Sequence, residues 1–202
     1  MKLYNKFLII SLIGIFIRSV INPYDYFTRV LEIFPVVLWS IALFVIYKKW
    51  FTFSKTVRLF LWLRAIILLV WWHYTYALNP LFAWIQDYFH LLRNHYDRLW
   101  HLFQWLVPAM IFREILIKKQ IIKNNSRLNF FVVCICLSIS VFYEFIERRV
   151  AMGTWTKADS FLGTQWDVWD TQRDMFMALI GALITITFLK LKKEWTNKPT
   201  LD

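Results

Sequence analysis

Leu128-Asn129-Phe130-Phe131-Val132-Val133-Cys134-Ile135-Cys136-Leu137-Ser138-Ile139-Ser140-Val141-Phe142-Tyr143-Glu144-Phe145-Ile146-Glu147 decides the fold class. It carries no charge from Leu128 to Tyr143 and then ends on two glutamates. A run this long and this apolar reads as a membrane-spanning helix, which needs roughly 20 residues. Similar runs occur at Phe7–Ile21, Ile33–Tyr47, Leu59–Tyr76, Leu99–Ile117 and Met175–Leu191. They are continuous, whereas the strands of a closed barrel would alternate. Over all 202 residues the hydrophobic share is 59% and the aromatic share 20%. A soluble fold of this size cannot hide so much apolar surface. A soluble globular enzyme, a disordered chain and a disulfide scaffold are therefore excluded. The expected fold is all-α: a polytopic transmembrane helix bundle with about six spans, forming a single integral membrane domain over residues 1–202.

Charge sets the expected orientation. Net charge is +11, from 24 Lys and Arg against 13 Asp and Glu. Lys2, Lys6, Lys48, Lys49, Lys55, Arg58, Lys118, Lys119, Lys123, Arg127, Lys190, Lys192, Lys193 and Lys198 alternate along the chain with acidic connections. These connections hold 10 of the 13 acids: Asp25, Glu32, Asp87, Asp97, Glu144, Glu147, Asp159, Asp167, Asp170 and Asp174. The positive-inside rule puts the basic set, and both termini, in the cytoplasm. The same rule accounts for the excess of cations, so nucleic acid is not an expected partner. Lys2 and Lys6 before an apolar stretch resemble a signal peptide. The stretch runs on into Arg18-Ser19-Val20-Ile21-Asn22-Pro23, without a small-residue cleavage site, and a retained span is expected. Cys134 and Cys136 are two apart, roughly 200° around a helix, and read as inert. Pro108 falls inside the fourth span and should kink it or free a carbonyl.

Polar side chains collect at the acidic ends of the spans. The strings are Asn22-Pro23-Tyr24-Asp25, His73-Tyr74-Thr75-Tyr76, Asn94-His95-Tyr96-Asp97-Arg98 with His101 and Gln104, Tyr143-Glu144 with Glu147, and Gly163-Thr164-Gln165 with Asp167, Asp170, Gln172 and Asp174. Ionisable groups near hydrocarbon are costly and should turn inward, towards one another. Spacing agrees within each helix. Asp97 and His101 are i,i+4, Glu144 and Glu147 i,i+3, and Asp170 and Asp174 i,i+4. Asp170 or Thr171 is also placed to cap the last helix. The plain reading is a set of interhelical hydrogen bonds and salt bridges, for example Arg98 with Glu144. So many carboxylates with few cations also suit a divalent metal ion, with His101, Glu144, Asp170 and Asp174 as ligand types. The candidate catalytic groups are Glu144, His101, Asp97 and Asp170. The candidate binding groups are His73, Tyr76, Asn94, Tyr96, Arg98, Gln104, Glu147 and Gln165. The twelve Trp and nine Tyr fit an interfacial aromatic belt.

Ile21-Asn22-Pro23-Tyr24-Asp25, Leu31-Glu32, His73-Tyr74-Thr75-Tyr76, Arg93-Asn94-His95-Tyr96-Asp97-Arg98, Pro108-Ala109, Arg113-Glu114-Ile115-Leu116, Tyr143-Glu144-Phe145-Ile146-Glu147 and Phe161-Leu162-Gly163-Thr164-Gln165 with Asp167, Trp169-Asp170-Thr171-Gln172 and Asp174-Met175 carry a resemblance. Over nearly its whole length the chain resembles the YjdF-type bacterial inner-membrane proteins, a family whose function is not established. That resemblance implies a multi-pass protein of the bacterial inner membrane. Residues 93–191 also look like a VanZ-type core. There an Asp-x-x-x-His opens one helix, a Glu lies in the next and an Asp starts the last, positions held here by Asp97/His101, Glu144 and Asp170.

Departures from the family form a pattern. Gly is usual in the family where this chain has Trp71, Trp72, Trp100, Trp105 and Trp166, and Trp is usual where it has Arg29, Arg148, Arg149 and Arg173. Glycine totals only 4, although membrane helices use glycine for close packing. Two explanations fit the pattern: ordinary drift, or a reassigned genetic code in which a stop codon read here as Trp is decoded as Gly and some Arg codons as Trp.

Three functions fit the polar sites. The first is an enzyme or resistance factor acting on a lipid or lipid-linked envelope amphiphile at the outer leaflet. Glu144 would serve as general base, with a metal or Arg98 stabilising negative charge. The second is an ion-coupled carrier of small solutes. Clustering at one membrane face, with no duplicated half, counts against it. The third is a non-catalytic membrane protein that docks an envelope or membrane partner.

Overall fold

A computed structural model describes residues 3–21, 41, 53–74, 78–154 and 168–191. The described residues are helical, without strands, in the order α1 Leu3–Val20, α2 Lys55–Tyr74, α3 Pro80–Tyr88, α4 Tyr96–Lys118, α5 Asn125–Thr154 and α6 Asp170–Leu191. Among the described residues, four segments are long and apolar enough to cross a membrane: Leu3–Val20, Lys55–Tyr74, Asn125–Arg149 and Asp170–Lys190. The expected span Ile33–Tyr47 lies outside the described residues, apart from Ile41, which is helical. The chain divides into two compact units, residues 1–96 and 97–202.

In the first unit, α1 and α2 run parallel. Tyr4 reaches the Lys55 carbonyl at 3.4 Å. Further along, Trp62 Nε1 donates to Ser11 Oγ at 3.0 Å, and Arg18 Nη1 lies 3.4 Å from His73 Nε2. Only Leu8 and Ser19 of α1 are buried, while Phe7, Ile10, Ile13 and Phe16 are exposed. Such a surface is unstable in water and at rest in hydrocarbon. Asn79 caps α3, its side chain accepting from Phe82 N at 3.2 Å, and Pro80 takes the first turn, where no N–H is needed. At nine residues α3 is too short to cross. It exposes Leu81, Trp84 and Tyr88 on one face, with the Trp84 and Tyr88 rings stacked at 5.6 Å. This is the pattern of a helix lying at the membrane surface.

In the second unit, α4 is the most enclosed element. Trp105, Leu106, Val107, Ala109, Met110 and Ile111 are all buried. Trp105 and Ala109 pack with Leu128, Val132 and Cys136 of α5 and with Ala178 and Ala182 of α6. Cys136 fills this core and Cys134 is half-buried; both are free thiols. Small residues at 178, 181, 182 and 185 let α6 approach α4 closely. A Cβ at Gly181 would stand 2.7 Å from the Leu102 carbonyl oxygen and 2.9 Å from Leu106 N. One turn on, the Thr185 hydroxyl donates to the Leu106 carbonyl at 2.8 Å. Helix α4 continues through Pro108, which removes the donor that the Gln104 carbonyl would otherwise receive. It ends in a Schellman turn. Ile121 N donates to Leu116 O and Gln120 N to Ile117 O, with Gln120 at φ 52° where glycine is usual.

Candidate functional site

The seam that packs α6 on α4 also sets the polar site. On α6, Asp170 and Asp174 fall on the face that carries Ala178, Gly181 and Thr185. On α4, Arg98 heads the row Arg98, Leu102, Trp105, Ala109, at the i,i+4,i+7 spacing that meets α6. The guanidinium therefore stands between the two aspartates. Nη1 donates to Asp174 Oδ1 at 2.5 Å and Nη2 to Asp170 Oδ1 at 2.9 Å. Asp170 stands in the first turn of α6, where acids are favoured by the helix dipole.

Beside this fork, Asp97, His101 and Gln104 share another face of α4. His101 Nε2 lies 3.4 Å from Asp97 Oδ1 and 3.7 Å from Asp174 Oδ2. Asp97, His101 and Asp174 form a group that could hold a metal ion, their ligand atoms all within 4.8 Å of one another. Asp97 Oδ2 is also 3.9 Å from Arg98. All three residues of the group are 5% exposed or less. From α5, Glu144 is buried within electrostatic reach of His101, Asp170 and Asp97. Glu147, half-buried and one turn on, interacts with Glu144, His101 and Asp174.

Three helices thus deliver Asp97, Arg98, His101, Glu144, Glu147, Asp170 and Asp174 to one end of the second unit. The opposite end carries Lys118, Lys119, Lys123, Arg127 and Lys190. The other expected binding residues lie elsewhere. His73 meets Arg18 in the first unit. Asn94 bonds Asn79 O at 3.3 Å and Tyr96 N at 3.0 Å. Tyr96 donates to the Ile67 carbonyl at 2.8 Å and meets Phe82 edge-on. Tyr76 and Gln165 lie outside the described residues, as do Asp25, Asp167 and Trp166.

Two features were missed in the sequence. Ser140 is buried, its hydroxyl without a hydrogen-bond partner among the described residues. It lies on the face of Glu144 and Glu147, and the spacing Ser140, Glu144, Glu147 (i,i+4,i+7) was the available signal. At the basic end Arg113 and Glu114 are buried inside α4. Glu114 pairs with Lys118 at 2.7 Å, and Arg113 Nε donates to Asn129 at 3.2 Å. Two adjacent charges within an apolar run were the signal there.

Comparison with known proteins agrees with a multi-pass inner-membrane protein. The family described as "Predicted membrane protein (DUF2238)" matches residues 4–194. The inner membrane protein YjdF of Escherichia coli (strain K12) is 41% identical over 180 residues, covering 89% of this chain and 86% of that one. No solved structure matches. The apolar helices, the polar cluster and the family match over almost the whole chain lead to one assignment: this is a membrane protein belonging to the DUF2238 family.

Proposed function

We propose that the chain acts at the outer face of the bacterial membrane on the polar headgroup of a lipid or lipid-linked envelope amphiphile. One observation carries this reading: Asp97, His101, Glu144 and Asp170 are buried together at the acidic end of α4, α5 and α6. Ionisable groups held at that depth are expensive, and their usual return is function. A headgroup lies at the same level as the ends of the spanning helices, so substrate and site need no deep channel. Glu144 is the candidate general base, taking a proton from water or from a substrate hydroxyl. Arg98, a donor only, faces any oxyanion that forms. Its two existing partners hold it in place, so stabilising that charge costs little rearrangement.

The test compares lipid and envelope-precursor extracts by mass spectrometry from cells expressing wild-type chain or Glu144→Gln at equal folded level. A headgroup change made by the wild type and lost in Glu144→Gln supports the reading. Unchanged extracts, with proton-linked solute uptake in proteoliposomes, overturn it in favour of a carrier. Unchanged extracts without uptake, and a variant that is merely less stable, overturn it in favour of a structural or docking role.

A further inference from the structure

We propose that Asp97 Oδ1, His101 Nε2 and Asp174 Oδ2 bind one divalent first-row metal ion, of the zinc or manganese type. The ion belongs to the same site as the headgroup reaction and rests on that reading of it.

Distances point to an ion first. The imidazole nitrogen stands 3.4 Å and 3.7 Å from the two carboxylate oxygens. These separations are longer than a good hydrogen bond, about 2.7–3.2 Å. Ligand atoms about 2.0–2.2 Å from a tetrahedral ion lie about 3.3–3.6 Å from one another. The ligand atoms of the trio all lie within 4.8 Å of one another, so drawing the oxygens together by up to about 1.5 Å closes it on an ion. Imidazole with carboxylates is a donor set suited to zinc or manganese and too nitrogen-rich for calcium.

The surroundings hold the trio in place. Asp97 and His101 are one helical turn apart on α4, so their relation is rigid. Asp174 comes from α6 and is held through its other oxygen, Oδ1, by Arg98. That leaves Oδ2 turned to His101. Arg98 in turn is braced by Asp170. An outer partner that orients a ligating carboxylate is a regular feature of metal sites. The ligand set takes Asp97 where the sequence suggested Asp170 and Glu144, because Asp170 is engaged in bracing Arg98.

A further sign is independent of the acids. Gln104 is 6% exposed, and its Oε1 has no hydrogen-bond partner among the described residues. It lies on the face of Asp97 and His101, three residues further into α4. A buried acceptor without a donor is costly. Water coordinated to an ion at the trio is a strong donor and would meet it. His101 Nδ1 is also without a partner among the described residues, so the imidazole has a second polar edge for a bound water or substrate. The charge balance agrees. Among the described residues, Asp97, Glu144, Glu147, Asp170 and Asp174 gather around Arg98 and His101, and a divalent ion offsets negative charge there.

The probes are Co(II), Mn(II) and Zn(II) alone, added to the full chain purified in chelator-treated detergent. The proposal predicts one Zn(II) per chain by calorimetry, able to displace Mn(II) bound first, and visible Co(II) d–d bands. His101→Ala and Asp174→Asn should each weaken binding by at least about tenfold. Asp87→Asn, an exposed acid on α3, should leave it unchanged. His101→Cys gives a second readout that does not depend on stability. A thiolate-to-Co(II) charge-transfer band absent from wild type, whose own free thiols are Cys134 and Cys136, appears only if residue 101 ligates. No binding to folded wild type, or binding that both variants and His101→Cys leave unaltered, overturns the proposal. A headgroup reaction without any metal binding would retire the ion and leave the function; metal binding without any reaction would do the reverse.

Discussion

Arg98 and Asp174 are 76 positions apart in sequence and joined by an ion pair of 2.5 Å, with side chains 12% and 5% exposed. The same guanidinium holds Asp170 at 2.9 Å, so one residue of α4 secures the first turn of α6. Removing one partner of a buried pair typically costs ~3–5 kcal/mol, because the other charge is left behind. Arg98→Met is therefore expected to lower stability in detergent by that order. Arg98→Lys should recover only part of it, since an ammonium cannot fork between two carboxylates. Thermal unfolding of the purified variants measures both; equal stability of Arg98→Met and wild type would contradict the clamp.

Glycine is scarce, and the described glycines behave differently. Gly181→Ala drives a methyl against backbone of α4 and should cost ~1–3 kcal/mol by overpacking. Gly14→Ala meets nothing within 4 Å and should be neutral or stabilising by up to about 1 kcal/mol. Gln120→Gly relieves a left-handed residue at the end of α4 and should gain ~1 kcal/mol. Chemical or thermal unfolding gives the order Gln120→Gly and Gly14→Ala above wild type, and Gly181→Ala below. Reversal at Gly181 would mean that α4 and α6 do not approach so closely.

Within the first unit, Tyr96 donates to the Ile67 carbonyl of α2. Tyr96→Phe keeps the ring on Phe82 and deletes that bond, at an expected cost of about 1 kcal/mol. Hydrogen exchange should rise in residues 67–71 and at the start of α4, leaving α5 unchanged. Exchange that rises first in α5 would count against the link.

Trp71, Trp72, Trp100 and Trp105 are 2–7% exposed, so each indole fills interior space. The departures from the family predict that the native host inserts glycine at these positions and at 166. Peptide mass spectrometry of protein purified from that host reads the residues directly. Tryptophan at 100, 105 and 166 would refute a reassigned code.

The helical membrane class was legible because long apolar runs such as Leu128–Tyr143 have few other solutions. Helix α4 was legible as a helix for a different reason than as a span. Its polar residues keep it off the set apolar enough to cross, yet burial among neighbours lets it carry His101, Gln104, Arg113 and Glu114. Within the site, the Asp97–His101 relation could be read from i,i+4 spacing alone. The Arg98 fork could not. Which carboxylates it meets depends on the register of α6 against α4, and that register is fixed by the bare Cα of Gly181 and the Thr185 hydroxyl. Sequence periodicity describes one helix at a time and carries no information about register between helices.

Everything at the polar end depends on α4 and α6 bringing their charges into direct contact. A double-mutant cycle on Arg98→Met and Asp174→Asn, read by unfolding in one detergent, isolates that contact. The expected coupling is at least about 1 kcal/mol, with the double variant more stable than the sum of the single losses implies. Strict additivity would mean that the two charges do not meet, and the site would dissolve with them.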